Sequence, residues 1–347
     1  MTTKISFINY IKKKILDFFR ISNESIVCLY NGYGNDESCI IFGHVLSYGP
    51  MPRIKYRSNF IINAIALIRL FIIKPKKNAK VFFTWDGIEY TTKTEKDGFF
   101  KFEWKPVAPL APGWHSIEVK YIRKNNEVIN GYAKLSIPFK TQFTFISDID
   151  DTFLISHSSN LRKRLFVLLT ENARSRDPFE GVVNHYNLLA NSFTEKNSVN
   201  PFFYVSSSEW NLYNYIKEFS RINNLPEGVY LLNQLKPLKS ILKTGQNNHS
   251  TKFMRIARIF EAYPHQLFVL LGDDSQADPE IYASIVKHFP NLVRAVYIRK
   301  VGKVESSNAT QKIKEMEAAG VLCCYFKFSS EAIIHSKKIG LIEADRF

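Results

Sequence analysis

Residues 143–152 read FTFISDIDDT, an apolar run that stops at three carboxylates, Asp148, Asp150 and Asp151. A strand buried on both faces has this texture, which belongs to parallel sheets covered by helices. Open α/β sheets place their ligands at the carboxyl ends of the strands. Negative charge delivered there has to be neutralised, because an isolated ionised carboxylate is costly to bury. A divalent cation does this most simply. Alternate residues of a strand share a face, so Asp148 and Asp150 point into one pocket. One can then attack phosphorus while the other handles the leaving-group proton. Alone, DxDxT also occurs as a calcium or turn loop.

The same pattern recurs downstream. Strands are expected at 143–146, 202–205, 229–232, 267–271 and 293–298, with helices at 161–173, 182–192, 212–223, 251–262 and 279–288 between them. This alternation predicts a doubly wound parallel sheet. The tail from Ser306 continues as helices around a short apolar piece at 321–326.

Three further pieces fall at strand tips or helix starts. FFYVSSSEW ends an apolar strand in Ser206, Ser207 and Ser208, whose hydroxyls and backbone N–H groups suit phosphoryl oxygens. Serines also commonly cap the helix that follows such a strand. Lys252 opens an amphipathic stretch and can screen charge between nucleophile and phosphate, although an isolated lysine is usually a surface residue. LFVLLGDDSQADPEIY (267–282) ends a strand in Asp273, with Asp274 and Asp278 close behind. Hard oxygen ligands of this kind fit Mg²⁺. Two aspartate-tipped strands in one sheet, with the serine strand and the lysine in this order, point to metal-dependent phosphotransfer.

Residues 25–140 have a different texture. Strands are expected at 26–30, 39–46, 80–84, 98–104, 116–122 and 128–137, separated by Asp86-Gly87, Asp97-Gly98, Pro112-Gly113 and Asn125-Asn126. Short strands punctuated this way predict a β-sandwich. His44 and His115 stand alone in it and read as structural. Residues 1–24 carry Phe7, Ile8, Ile11, Ile15, Phe18 and Phe19 at helical spacing beside Lys12, Lys13 and Lys14, giving an amphipathic basic helix. A second apolar stretch near 58–74, a helical insertion, is too short to span a bilayer. Either can lie in a membrane interface or dock on its own protein.

The net charge of +15 is uneven. Residues 1–140 hold 22 Lys/Arg against 11 Asp/Glu, a net of +11; the remainder nets +4. Such a basic part suits an anionic surface, lipid or nucleic acid, or is simply a solvated basic face. No RNA-binding sheet signature or helix-turn-helix is present, so nucleic acid is not expected as a partner. Cys28, Cys39, Cys323 and Cys324 form neither a disulfide framework nor a zinc spacing, and a cytoplasmic address is expected. The lysines interrupting the first apolar stretch argue against a secretory signal.

The order DxDxT, strand-Ser, Lys, strand-GDxxxxD resembles the haloacid-dehalogenase superfamily of phosphohydrolases. More narrowly, SDIDDT, YVSSSEWNLY and LLGDDSQADPEIY followed by AVYIRKV resemble the phosphatidate phosphatase catalytic domain of the actin-patch-protein type, over about 140–302. A weaker likeness runs upstream through NGYG (31–34), DGFFKFE and LAPGWH (110–115). The resemblance implies a haloacid-dehalogenase-like fold over 141–347, with a helical C-terminal extension. It implies Asp148 as nucleophile, Asp150 as acid and base, and Thr152 holding the loop. Ser206, with Ser207 beside it, would take phosphoryl oxygens, and Lys252 would screen charge. Mg²⁺ would be held by Asp148, the Asp150 carbonyl and Asp273, helped by Asp274 or Asp278. Two residues depart from the family pattern: Glu209 stands where Pro is expected, and Asp274 stands where a small residue is usual. The short intervals 152–206 and 206–252 leave little length for a cap. An open pocket suits a bulky, surface-bound monoester such as phosphatidate, and a peripheral position at the inner membrane surface. Another bulky phosphomonoester (a phosphoprotein or nucleic-acid end) and a non-catalytic membrane adaptor are the alternatives.

Overall fold

The computed structural model describes residues 14, 21–22, 24–50, 68–139, 143–149, 179–195, 198–235, 248–302 and 304–343. Together they form a mixed α/β protein with two sheets. The expected helix at 161–173 and most of the helix at 1–24 and of the 58–74 insertion lie outside these residues; within 1–24, Ile21–Ser22 is a short strand instead of helix. So does the length in which a cap would sit, 150–178 and 236–247.

The first sheet is built from β1 (Ile21–Ser22), β2 (Ile26–Gly34), β3 (Cys39–Pro50), β4 (Lys74–Pro75), β5 (Lys80–Trp85), β6 (Ile88–Lys93), β7 (Phe99–Trp104), β8 (Gly113–Ile122) and β9 (Val128–Ile137). Its order is β1-β3-β2-β9-β8-β5-β6, with β4 and β7 also paired to β3. Pairing is antiparallel except between β2 and β9. The strands expected to make a sandwich therefore belong to one hydrogen-bonded sheet that curls over its own core. Phe83 of β5 meets Phe102 and Trp104 of β7 edge-on, at 4.7 and 4.8 Å. Alternation drives this: Phe100, Phe102 and Trp104 are buried while Lys101 and Glu103 are exposed.

The second sheet contains β10 (Thr144–Ser147), β11 (Phe202–Glu209), β12 (Gly228–Asn233), β13 (Phe268–Asp273), β14 (Val293–Arg299) and β15 (Leu322–Phe326). Every pair is parallel, in the order β12-β11-β10-β13-β14-β15. The helices are α1 (Val182–Asn191), α2 (Tyr213–Ile222), α3 (Asn248–Ala262), α4 (Asp278–His288), α5 (Ser307–Ala318) and α6 (Ser329–Lys338). The apolar piece at 321–326, expected among tail helices, is the edge strand β15. From β10 the chain builds outward to β12, then returns to build β13 to β15 on the other side. The reversal falls between β10 and β13, where such sheets leave a crevice at their carboxyl ends.

The two sheets share buried contacts. Tyr30, Tyr33 and Phe42 lie in the same apolar cluster as the interior of the parallel sheet. Tyr30 stacks on Trp210 at 4.1 Å between ring centroids. The Asn31 N–H donates to the Tyr213 hydroxyl at 2.9 Å, and Tyr263 donates to the Gly34 carbonyl at 3.1 Å. The NGYG stretch is thus the joint to the parallel sheet. Among the described residues, no helix is long and apolar enough to cross a membrane.

Candidate active site

Strand β10 delivers Asp148 to the crevice. Its interior residues Phe145 and Ile146 are buried on opposite faces, and the Asp148 N–H continues the ladder to the Leu271 carbonyl at 2.8 Å. Asp273 ends the neighbouring strand β13. Asp278 is the first residue of α4 and reaches back over Gly272. A Cβ on Gly272 would stand 2.5 Å from Asp278 Oδ2 and 2.7 Å from the Tyr282 ring, so only glycine leaves room for that carboxylate. Each of the three aspartates offers an oxygen within 4.8 Å of the other two, and all three are buried.

Lys252, in the first turns of α3, closes the group. Its Nζ donates to Asp148 Oδ1 at 2.7 Å and to Asp278 Oδ1. Burial alone would pull the lysine pKa down. The charges of Asp148 and Asp278 and the hydrogen bonds to both outweigh it, so the pKa lies above the ordinary lysine value. Asp273 is pushed up to about 7, first by burial and then by the charge of Asp278, against a hydrogen bond from Ser275 and the charge of Lys252. Three buried carboxylates facing one ammonium form an oxygen-only, electron-rich donor set. This suits a hard divalent cation, which would relieve the repulsion that raises Asp273.

The β10–β11 register pairs Ser147 with Tyr204, placing Ser206 just beyond the level of Asp148 on the adjacent strand. Ser206 is buried; its hydroxyl oxygen accepts from the Ser208 N–H at 2.9 Å, and Ser207 is half-buried. Glu209 ends the strand opposite Asn233. Asp274, one of the expected metal ligands, turns away from the other aspartates. Its Oδ1 accepts from the Val301 N–H at 2.8 Å and its Oδ2 from the Tyr325 hydroxyl at 2.7 Å. The geometry therefore brings Asp278, not Asp274, to Asp148 and Asp273. Asp150 and Thr152 lie outside the described residues.

Sequence reasoning missed the supports of this site. Arg255 donates to the Ser206 carbonyl at 2.8 Å and the Leu231 carbonyl at 3.2 Å, tying two strand ends together. Burial lowers its pKa to about 10. It sits three residues after Lys252 on one helix, so the i, i+3 spacing was the available signal. Tyr186 bonds Ser147 Oγ at 2.8 Å, and the Tyr282 hydroxyl donates to the Leu271 carbonyl at 2.9 Å. No local sequence pattern marks these tyrosines.

Comparison with known proteins bears on the same stretch. Residues 143–300 match the family model described as phosphatidate phosphatase APP1, catalytic domain. The resemblance carried by SDIDDT, YVSSSEWNLY and LLGDDSQADPEIY is thereby shown for that part of the chain. The Saccharomyces cerevisiae protein named phosphatidate phosphatase APP1 is 30% identical over 154 residues, 44% of this chain and 25% of the yeast protein. An uncharacterised Schizosaccharomyces pombe protein is 22% identical over 219 residues, 61% of this chain and 35% of its own length. The chain thus spans about a quarter to a third of these relatives. A crystal structure of a carbohydrate acetylesterase from Xanthomonas citri aligns over 89% of this chain and 72% of its own at 9% identity. Its TM-score of 0.33 carries no argument.

Proposed function

We propose that this protein is a Mg²⁺-dependent phosphatidate phosphatase built on a haloacid-dehalogenase-like, doubly wound fold. It would release phosphate and diacylglycerol through an aspartyl-phosphate intermediate. The observation that carries the reading is Lys252 bridging Asp148 and Asp278 beside Asp273, at the switch point between β10 and β13. The family match over 143–300 supports a phosphatidate phosphatase-like hydrolase and its lipid substrate.

The roles follow from charge and position. Asp148 attacks phosphorus, and the P–O bond to the diacylglycerol oxygen breaks as the Asp148 acyl phosphate forms. Asp150, assigned by resemblance, gives its proton to the departing alkoxide and then takes one from the water that hydrolyses the acyl phosphate. Lys252 orients the Asp148 carboxylate and offsets the charge gathered around it. Ser206, held by Arg255 through its carbonyl, hydrogen-bonds a phosphoryl oxygen, with Ser207 and Thr152 assigned to the same anion. Asp148, Asp273 and Asp278 would hold Mg²⁺, with the Asp150 main-chain carbonyl added by resemblance; when bound, the ion supplies electrostatic stabilisation of charge developing on the phosphoryl oxygens. The protein would act peripherally on the inner membrane surface.

The test is phosphate release from phosphatidate–detergent micelles with and without Mg²⁺, using wild type and Asp148→Asn side by side. The proposal expects Mg²⁺-dependent release that Asp148→Asn abolishes. Equal turnover of soluble sugar phosphates, or of phosphoproteins and nucleic-acid ends, would remove the lipid assignment. Wild-type activity retained by Asp148→Asn would remove the mechanism.

A further inference from the structure

The outward face of the curled sheet carries a row of residues poorly matched to water. The β5–β6 register sets Lys80 directly opposite Lys93, and the β8–β9 register sets Ile122 opposite Val128. Between β5 and β8, Phe82 faces Lys120; continuing that register brings Lys80 beside Ile122. Lys93, Lys80, Ile122 and Val128 thus line up across four neighbouring strands. The alternate residues Val81, Val119 and Tyr121 are buried in the sheet's core, so the row points away from it.

Two properties of the row need explaining. Both lysines are exposed, and among the described residues neither makes an ion pair, although like charges directly opposite each other destabilise a sheet. Ile122 and Val128 are 44% and 50% exposed, and on the same face Tyr132 is 69% exposed. Paired cations beside exposed aliphatic groups suit a partner that is anionic at its surface and apolar just beneath. Nucleic acid would use the lysines but give the aliphatic residues no burial.

We propose that this face docks the protein on an anionic lipid bilayer. Lys80 and Lys93 would meet the headgroups beside Lys120, which pairs with Glu118 on the same face at 3.5 Å, while Ile122, Val128 and Tyr132 enter the boundary between headgroups and acyl chains. Local charge complementarity supports it, since the exposed Lys80 and Lys93 stand directly opposite each other on this face. The inference rests on the reading above, in which the substrate is a membrane lipid, and names the surface that brings the enzyme to it.

The test is co-sedimentation of the full-length protein with phosphatidylcholine vesicles, with and without phosphatidylserine and free of phosphatidate. At about one headgroup interaction per lysine, Lys80→Gln with Lys93→Gln should weaken partitioning onto the anionic vesicles by roughly thirtyfold. Ile122→Ser with Val128→Ser should also weaken it, by an amount that does not vanish at high salt. Neither double variant should melt below wild type, and both should keep wild-type hydrolysis of detergent-dispersed phosphatidate. The proposal is overturned if wild type ignores the anionic vesicles, if either double variant binds as wild type does, or if oligonucleotides compete the protein off the lipid. These vesicles contain no substrate. Normal binding with no phosphatidate hydrolysis would therefore overturn the enzymatic reading alone.

Discussion

Replacing Asp273 by Asn should make the metal-free protein more stable while removing its response to Mg²⁺. The structure sets the size of the effect. Asp273 ionises at about 7, against 3.8 for an unperturbed carboxyl, because it is buried beside the charge of Asp278. The unfolded chain therefore loses this proton more easily than the folded one. Stability is complete below the unfolded value and is lost as pH rises toward the folded value. About three pKa units at ~1.4 kcal/mol each gives an upper bound of about 4 kcal/mol at pH 8, since Asp278 and Lys252 share the titration. Asparagine keeps the shape, can still accept the Ser275 N–H that now bonds Asp273 Oδ1 at 2.7 Å, and carries no charge. Its melting temperature in EDTA at pH 8 should exceed that of wild type by about 4–8 °C. The gap should shrink at pH 5 and close near pH 4. Added Mg²⁺ should raise the wild-type melting temperature and leave the variant unmoved, because ligand binding stabilises only a fold with an intact site. Differential scanning fluorimetry across pH, with and without Mg²⁺, reads all of this. A variant less stable than wild type in EDTA, or one that gains as much from Mg²⁺, would refute the crowding of three carboxylates around one ion.

Asp278→Asn should lower phosphatase turnover by roughly 10²-fold or more, whereas Asp274→Asn should keep it within a few-fold and lower thermal stability instead, because Asp274 only ties β13 to Val301 and Tyr325; matched kcat and melting measurements separate the two. In saturating Mg²⁺, acid should destabilise the protein through His44 and His185, whose pKa values burial lowers to about 3. Both stay neutral when folded and take up a proton on unfolding below about pH 6.5, so stability present at pH 7 falls by about 2 kcal/mol per histidine at pH 5. Denaturant titrations of wild type and His185→Gln should show a shallower acid slope in the variant.

Much of the site was legible because its physics is local. A strand buried on both faces must be apolar throughout, so β10, β11 and β13 announce themselves, and each apolar run ends where polar residues begin. Asp148, Ser206 and Asp273 were singled out this way, and Lys252 by its place at the start of an amphipathic stretch. The failures also have local causes. Strand β6, IEYTTK, is an edge strand that alternates only between half-buried and exposed residues, so its apolar signal is weaker than that of its neighbours. Strand β15, LCCYF, is half-buried and only five residues long, too short to tell from a helical fragment. The stack of Tyr30 on Trp210 joins residues 180 positions apart, and nothing near either residue records the other.

The choice between Asp274 and Asp278 shows where sequence reading reaches its limit. GDDSQAD offers three carboxylates within six residues, and spacing alone leaves Asp274 and Asp278 both open as neighbours for Asp273. The backbone decides between them. The Asp274 N–H donates to the Arg299 carbonyl at 3.0 Å, which extends the β13–β14 ladder one residue past the strand end. Adjacent residues of an extended chain face opposite ways, so Asp274 must turn from Asp273 toward Val301 and Tyr325. The next turn of chain brings Asp278 back to the start of α4, over a glycine whose missing Cβ is the space its carboxylate occupies. The cluster of three buried aspartates was thus written in the sequence as the pair Gly272 and Asp278, but reading it required knowing which strand lies beside β13.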